Sequence, residues 1–427
     1  PVAMPVTLHQ VESLLSELAT PLAVQLPSGQ RIGPHDAVVS LHLPDLGSLV
    51  SLGMGQVGAL GEGLVEGRIQ LQGNVRDLMA AAADLLRRNP ERIQGHAHWW
   101  SRMLHHTRSR MAHTAARSAS QIEFHYDVSD DFYALWLDPL RIYSCAYFRD
   151  AAMSLAQAQQ AKLDHICRKL MLRSGERFLD VGSGWGALLL WAAEHYGVDG
   201  TGITLSRNQH AYVQQLIASK GLQGRVRVEL RDYRQLAPAQ PFDKISSVGM
   251  FEHVGHAHMV DYFRQLHTLL RPGGLVLNHG ITAGGVGYNQ LGAGMGDFIE
   301  KYIFPGGELL HTSVVLHDMA AAGLEMVDTE NLRPHYARTL WAWSDALEAH
   351  AAQALEVLAR DVGATRAGKT LRAYQLYLAG SAMGFEQGWL ALHQMLATRP
   401  DGHVLSGSMV GAQSEYPFQR AYIYRNA

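Results

Sequence analysis

The chain is short of cysteine, of charge and of long apolar runs, and each shortage removes a class of protein. Two cysteines, Cys145 and Cys167, among 427 residues give neither a disulfide framework nor the spacing of a metal site, so no metal is expected and a reducing compartment fits. No apolar run approaches the ~20 residues needed to cross a bilayer. The first residues also lack a basic segment leading into an apolar core and a cleavage site, which makes a cytoplasmic location the expectation. With 18% charged residues and a net charge of −3, nothing draws the whole chain to a polyanion, and no nucleic-acid partner is expected. A membrane remains possible as a substrate surface. At 47% hydrophobic content the sequence is that of a globular protein long enough for two domains, each burying its own core.

Glycine is placed where it matters. Residues 178–186, Phe-Leu-Asp-Val-Gly-Ser-Gly-Trp-Gly, read as a short buried strand entering three alternating glycines, with a helix to follow from about Ala187 to Tyr196. Gly182, Gly184 and Gly186 remove the Cβ atoms that would hold a ligand off the backbone, and the helix N-terminus behind them offers free N–H groups. With Ala187 the string satisfies the dinucleotide pattern, so the turn alone does not separate NAD from S-adenosylmethionine. The next strand decides. A nicotinamide site wants a carboxylate about twenty residues on, whereas here Gly202-Ile-Thr-Leu-Ser206 and Gln209 supply no acid. Asp180 before the first glycine, and Arg271-Pro-Gly-Gly274 opening a late strand at 275–279, are methyltransferase features.

Around this turn the pattern alternates strand and helix: 178–182, 186–196, 199–204, 207–220, 226–230, 242–249, 258–271 and 275–279. Alternating βα units predict an α/β fold with a doubly wound, Rossmann-like parallel sheet whose ligands sit at the carboxyl ends of its strands. Residues 283–323 and 338–398 read as mainly helical insertions, and Glu325–Asn331 with Phe418–Tyr424 as the closing antiparallel pair. Ahead of this lies a smaller module, residues 1–86, with helical spacing over Thr7–Ala19 and Asp77–Leu86 and short strands within Leu22–Gln30 and Ala37–Leu43. It has no catalytic constellation, so it is expected to be an accessory domain for lipid docking or oligomerisation, which makes a homodimer plausible. Residues 87–120 form a basic linker: from Arg87 to Arg117 there are seven arginines against one acid, Glu91, with five histidines and the pair Trp99-Trp100. Arginine near an anionic membrane contributes about 1 kcal/mol per charge, and tryptophan prefers the water–lipid boundary; a solvated linker helix is the plainer alternative. In Phe124–Phe148, eight of twenty-five residues are aromatic against 8% overall, and the segment is broken by Asp127, Asp130, Asp131 and Asp138-Pro139. Such a segment suits either a core or an entrance around the cofactor and acyl site.

The strings HYDVSDDFYALWLDP, YSCAYF, LDVGSGWG, GITLSRNQ, FEHVG, YIFPGGELL and RPHYARTL resemble those of the cyclopropane-fatty-acyl-phospholipid synthases and the related mycolic acid methyltransferases, in order, over about residues 121–427. The resemblance implies a methyltransferase domain over that span. Less specifically, the N-terminal module resembles the extra domain of the longer bacterial synthases. Carried over residue by residue, the cofactor contacts for S-adenosylmethionine fall on Tyr143, Ser144, the loop Asp180, Gly182, Ser183, Gly184, Trp185 and Gly186, then Thr204, Leu205, Ser206 and Gln209, and finally Asp232 and Tyr233. The family's bicarbonate pocket falls on Cys145, Glu252, His279, the backbone at Ile281, and Tyr336. One position departs: many relatives have a cysteine where this chain has Ser381, which implies that this thiol is dispensable.

The implied reaction adds a methylene carbon to the cis double bond of an unsaturated acyl chain in a membrane phospholipid, at the inner membrane surface. An isolated alkene is a weak nucleophile, so positioning in a dry site must do most of the catalysis. Methyl addition leaves a carbocation, which aromatic faces stabilise without trapping it, and ring closure needs a base that is not itself easily alkylated. Bicarbonate, held by Glu252 and His279 with Tyr336 and Cys145 as further partners, meets that need. Rival readings are a nucleophilic Cys145, for which the sequence shows no activating base, a related C-methyltransferase giving a methyl-branched or methylene product or acting on another small molecule, and a non-catalytic lipid-binding relative, against which the complete pocket argues. If the basic linker touches anionic lipid, charge reversal of Arg102, Arg108 and Arg110 lowers binding to anionic vesicles at low salt; unchanged vesicle co-sedimentation rejects the contact.

Overall fold

The computed structural model describes residues 8–88, 128–286, 309–402, 406–407 and 419–424. Most of the basic linker, from Asn89 onward, and Phe124 and Tyr126 of the aromatic stretch lie outside the described residues. In chain order the main elements are α1 (Leu8–Ser16), β1 (Leu22–Gln25), β2 (Arg31–Ile32), β3 (Val39–His42), α2 (Leu46–Gly53), α3 (Val57–Val65), β4 (Gln70–Gln72), α4 (Val75–Arg88), α5 (Asp130–Ala134), α6 (Leu155–Lys169), β5 (Arg177–Val181), α7 (Ala187–Tyr196), β6 (Asp199–Thr204), α8 (Arg207–Ser219), β7 (Val226–Leu230), β8 (Phe242–Val248), α9 (Met259–Leu269), β9 (Leu270–Ala283), α10 (Thr312–Ala321), β10 (Glu325–Asn331), α11 (Arg333–Ala349), α12 (Ala351–Val362), α13 (Ala364–Glu386), β11 (Leu390–Thr398) and α14 (Ala421–Tyr424).

Two compact units result, and their boundary differs from the one read in the sequence. One unit takes the described residues up to Trp136 together with Leu340–Trp389, and the other takes Leu137–Val286, the described residues to Thr339, and those from Leu390 on. Helices α12 and α13, expected within the methyltransferase domain, therefore cluster with the N-terminal module. The physical reason is in the contacts of that unit. Arg372 on α13 donates from Nε to the carbonyls of Leu64 and Val65 at the end of α3, both at 3.1 Å, and so satisfies helix-terminal acceptors. Lys369 pairs with Glu66, and Arg76 of α4 pairs with Asp345 and lies over the Trp341 ring. The module's sheet runs β2-β1-β3-β4, with β1 and β3 parallel and the outer pairs antiparallel. Phe132, Trp136, Trp343 and Tyr374 form an edge-to-face cluster. Phe132 and Trp136 of the aromatic stretch are thereby core, their rings spent on one another and on Trp343 and Tyr374.

The second unit is built on a seven-stranded sheet, order β10-β11-β9-β8-β5-β6-β7. Strands β7 through β9 are parallel, and β11 and β10 close it antiparallel, the Rossmann-like arrangement expected. Its inner strands are buried on both faces, so neighbouring residues serve opposite cores. Phe178 and Leu277 pack with α7 residues Leu188, Leu189 and Ala192, while Leu179 and Val276 pack with Tyr262, Phe263 and Leu266 of α9. Each such large side chain contributes roughly 1.5–3 kcal/mol by leaving water. The order reverses at β5, where β6 lies on one side and β8 on the other, and crevices open at the carboxyl ends of strands at such switch points.

Two readings are corrected here. The partner of β10 is β11, with Glu325 opposite Thr398, and not the segment 418–424, whose described part ends in the short helix α14. Residues 338–398 are mainly helical as expected, but their last nine residues are strand. Every residue of β11 is buried, so Leu-Ala-Leu-His-Gln-Met-Leu-Ala-Thr shows no period-two alternation, and an apolar run of that length does not distinguish buried strand from buried helix. Strand β9 also runs well beyond the expected 275–279.

A buried ion cluster ties α6 to β10. Lys169 Nζ and His165 Nε2, one turn apart on α6, reach Glu330 Oε2 at 2.6 and 2.7 Å, and Asp328 accepts Arg420 at 2.7 Å. Burial works to raise the Glu330 pKa, but the hydrogen bonds and charges of His165 and Lys169 prevail and hold it at about 2 against an ordinary 4.5. Glu330→Gln should cost about 3 kcal/mol of unfolding free energy in urea titration, because it leaves the buried Lys169 ammonium with only the more distant Asp328, at 3.9 Å, as counter-charge. The wild-type contribution is complete above pH 4.5 and is lost as pH falls through about 2, so the substitution should flatten the acid side of the stability profile.

Candidate active site

The glycine turn leaves β5 with three left-handed residues in alternation, Gly182 at φ 73°, Gly184 at 54° and Gly186 at 80°. Their reasons differ. A Cβ on Gly182 would lie 2.6 Å from the Met250 side chain that follows β8, and one on Gly186 would lie 2.9 Å from Val213 of α8, whereas one on Gly184 would meet nothing within 4 Å. Gly182 and Gly186 are thus packing glycines. At Gly184 the backbone faces open space, the bare cradle on which a ligand can lie. Ser183 fixes the turn to β6 by donating its N–H to the Ile203 carbonyl at 2.9 Å. Trp185 leans edge-on against Tyr212, and the Arg141 guanidinium sits 4.7 Å from the Tyr212 ring and 5.7 Å from that of Trp185.

Behind the turn, Asp180 is 2% exposed and accepts a 2.7 Å hydrogen bond from Ser246 Oγ; burial lifts its pKa to about 6. At the end of β6, Thr204 Oγ1 bonds Gln209 Oε1 at 2.8 Å, which turns the Gln209 amide N–H groups outward, and Ser206 caps α8. Leu205 stands 70% exposed beside them. Asp232 is engaged by its neighbour Arg234 at both oxygens, and Tyr233 packs edge-on against Tyr262.

The second cluster sits where β9 outlasts β8. Pairing ends at Val248 opposite His279, and Gly249 then donates to the His279 carbonyl at 2.8 Å. Three residues later the chain returns: Glu252 Oε1 accepts the Ile281 N–H at 2.7 Å. The Ile281 amide, expected to line an anion pocket, is therefore used by Glu252. Glycine at 280 makes this possible, since a Cβ there would collide with Phe251 and lie 2.7 Å from Glu252 Oε1. Burial raises the Glu252 pKa to about 7, and its Oε2 is buried with no hydrogen-bond partner among the described residues. His279 is 1% exposed and burial holds its pKa well below 6.5, so the ring is neutral. Gln394 Nε2 donates to its Nδ1 at 3.1 Å, which leaves the ring proton on Nε2, and that atom also lacks a partner. When Glu252 is protonated, its Oε2 and the His279 Nε2–H, anchored two residues apart along β9, are two uncharged donors with no partner among the described residues. Such a set fits a small anion.

Cys145 and Tyr336 join the same rim through one carbonyl. Cys145 Sγ lies 3.9 Å from Leu332 O, which also accepts the Tyr336 N–H, and Leu332 N donates to Leu392 O, whose residue stands opposite Ile281. The Cys145 thiol is fully buried, points to the Ala146 carbonyl at 3.1 Å, and burial drives its pKa well above the ordinary range, so it is a thiol donor and no nucleophile. Sequence reasoning missed Gln394, Gly280, Ser246 and Lys162, because their roles exist only through partners far along the chain. Ser381 sits on α13, in the other unit, with a buried and unpartnered Oγ.

Residues 113–395 match the family described as mycolic acid cyclopropane synthetase. The chain belongs to this family. It is 42% identical to a probable fatty acid methyltransferase of Pseudomonas putida over 93% of this chain and 97% of that protein, and 39% identical to cyclopropane mycolic acid synthase 1 of Mycobacterium tuberculosis over 64% and 95%. Among solved structures it resembles the mycolic acid cyclopropane synthase CmaA1 complexed with SAH and CTAB, with 38% identity and a TM-score of 0.59 over 66% of this chain and 98% of that one. The fold and the glycine cradle are accordingly those of an S-adenosylmethionine-dependent methyltransferase of this family. Gly280→Ala should displace Glu252 by about an ångström and lower methyl-transfer turnover roughly 10²-fold, while the affinity for S-adenosylhomocysteine, measured by titration calorimetry, stays within about threefold. An equal loss of both would show that the clash propagates to the glycine turn.

Proposed function

We propose that the chain transfers a methylene carbon from S-adenosylmethionine to the cis double bond of unsaturated acyl chains in membrane phospholipids, giving a cyclopropane, with bound bicarbonate taking the proton lost on ring closure. The single observation that carries this reading is the pair of buried and unsatisfied polar atoms at Glu252 Oε2 and His279 Nε2, which, with Glu252 protonated, offer two donors to a small anion able to take the proton lost on ring closure. The fatty acyl substrate is supported by the relative that matches along nearly the whole chain, named as a probable fatty acid methyltransferase.

When bound, S-adenosylmethionine supplies an electrophilic methyl carbon, and bicarbonate supplies a base that leaves no alkylated side chain behind. The chain's own residues do the rest. The glycine turn removes bulk so that a ligand lies against backbone. Gln209 offers N–H donors at the end of β6. Glu252 Oε2 and His279 Nε2 hold an anion by donation. No helix among the described residues is long and apolar enough to cross a membrane, so access to phospholipid is proposed from the membrane surface, aided by the arginines of the linker. A methyl-branched product is the second reading, favoured by the word methyltransferase in that same relative's name.

Incubation with S-adenosylmethionine and mono-unsaturated phospholipid vesicles, with and without bicarbonate, decides between them. The expected product has gained one methylene group, has lost its alkene, and forms only when bicarbonate is present; a gained methyl with no ring rejects cyclopropanation. Because Glu252 must be protonated to donate, the bicarbonate requirement should rise as pH climbs through about 7, and Glu252→Gln, which keeps a donor at all pH, should remove that dependence.

A further inference from the structure

Lys162 is the buried charge that the site described above does not use. It lies on α6 and is 2% exposed, yet no carboxylate among the described residues approaches it closely enough for an ion pair. Its hydrogen-bond acceptor is the Ser144 hydroxyl, with Nζ to Oγ at 2.6 Å. Gln159, three residues earlier on the same helix, donates to the Ser144 carbonyl at 2.9 Å, so α6 grips the backbone and the side chain of Ser144 separately.

The chemistry of this contact is directional. An ammonium has three donors and no acceptor, so Lys162 must donate and Ser144 Oγ must accept. The hydroxyl hydrogen of Ser144 is then left to donate elsewhere, and it has no acceptor among the described residues. Asp138 and Asp180 lie near enough to act on Lys162 electrostatically, as does Cys145. Each has other work: Asp138 accepts the backbone N–H groups of Leu140 and Ile142, and Asp180 accepts from Ser246. Burial brings the Lys162 ammonium down to about 8, which still leaves it largely protonated at neutral pH. A half-buried hydroxyl, constrained to donate and backed by a cation, is a receptor for an anionic oxygen. S-adenosylmethionine has a sulfonium, an ammonium and one such group, its α-carboxylate.

We propose that Lys162 is a positioning residue that turns the Ser144 hydroxyl toward the α-carboxylate of the bound methyl donor and so sets the donor's orientation along the glycine turn. This rests on the reading that the donor occupies that turn and reaches Ser144.

The test compares S-adenosylhomocysteine with its decarboxylated analogue by titration calorimetry on the full chain. Wild type should prefer the carboxylate-bearing ligand at least tenfold, the order of one charge-assisted hydrogen bond. Lys162→Met should reduce that preference to about twofold or less and leave the analogue's affinity unchanged. Ser144→Ala should do the same, with no further loss in the double variant. Should Lys162→Met not fold, Lys162→Gln keeps a donor of similar length without the charge and must show the same narrowing. The proposal is overturned if both ligands weaken together, as a merely structural tie between α6 and residue 144 would produce. It is equally overturned if the preference survives while the bicarbonate requirement rises, which would assign the relay to the anion pocket. Wild type binding neither ligand would remove the donor reading itself and this inference with it, whereas wild type binding both equally would remove only the inference.

Discussion

The hydrogen bond from the Ile281 amide to Glu252 Oε1 is the constraint on which the site depends. It exists because β8 stops at Val248 while β9 runs on to Ala283, leaving a backbone donor with no strand to pair it. A buried unpaired N–H costs free energy, and a carboxyl placed one short turn after β8 satisfies it. That bond fixes which oxygen of Glu252 is occupied and which is left over. Everything proposed for the anion pocket follows from the leftover oxygen.

Burial then sets the charge state of each group. A neutral histidine, a carboxyl near half protonation and an un-ionised thiol are what desolvation makes of His279, Glu252 and Cys145, with little help from neighbouring charges. In each, leaving water disfavours the charged form. The cationic exception, Lys162 on α6, lies near enough to act on Cys145 and His279 electrostatically, but its hydrogen bond is committed to Ser144. The cluster is thus built mainly from groups that burial keeps from ionising in their ordinary range.

Backbone conformation does comparable work in the cradle. Of the three turn glycines, two are required by packing against Met250 and Val213, and one, Gly184, faces free space. The motif as a string treats them alike; the structure separates the ligand-facing position from the two that hold the turn in shape.

The sequence by itself determined the fold class, the glycine turn, and most of the boundaries of the parallel strands and their helices. Each of these is written in local patterns: period two or 3.6, a capping serine, a glycine where φ must be positive. It did not determine that Leu390–Thr398 is a strand beside β9, nor that α12 and α13 cluster with the N-terminal module, nor that the Ile281 amide is taken by Glu252. Gln394 setting the His279 tautomer and Lys162 setting the Ser144 hydroxyl were equally hidden. These are pairings between residues far apart in the chain, and a hydrogen bond or a buried strand has no signature in either partner alone until tertiary structure brings the two together.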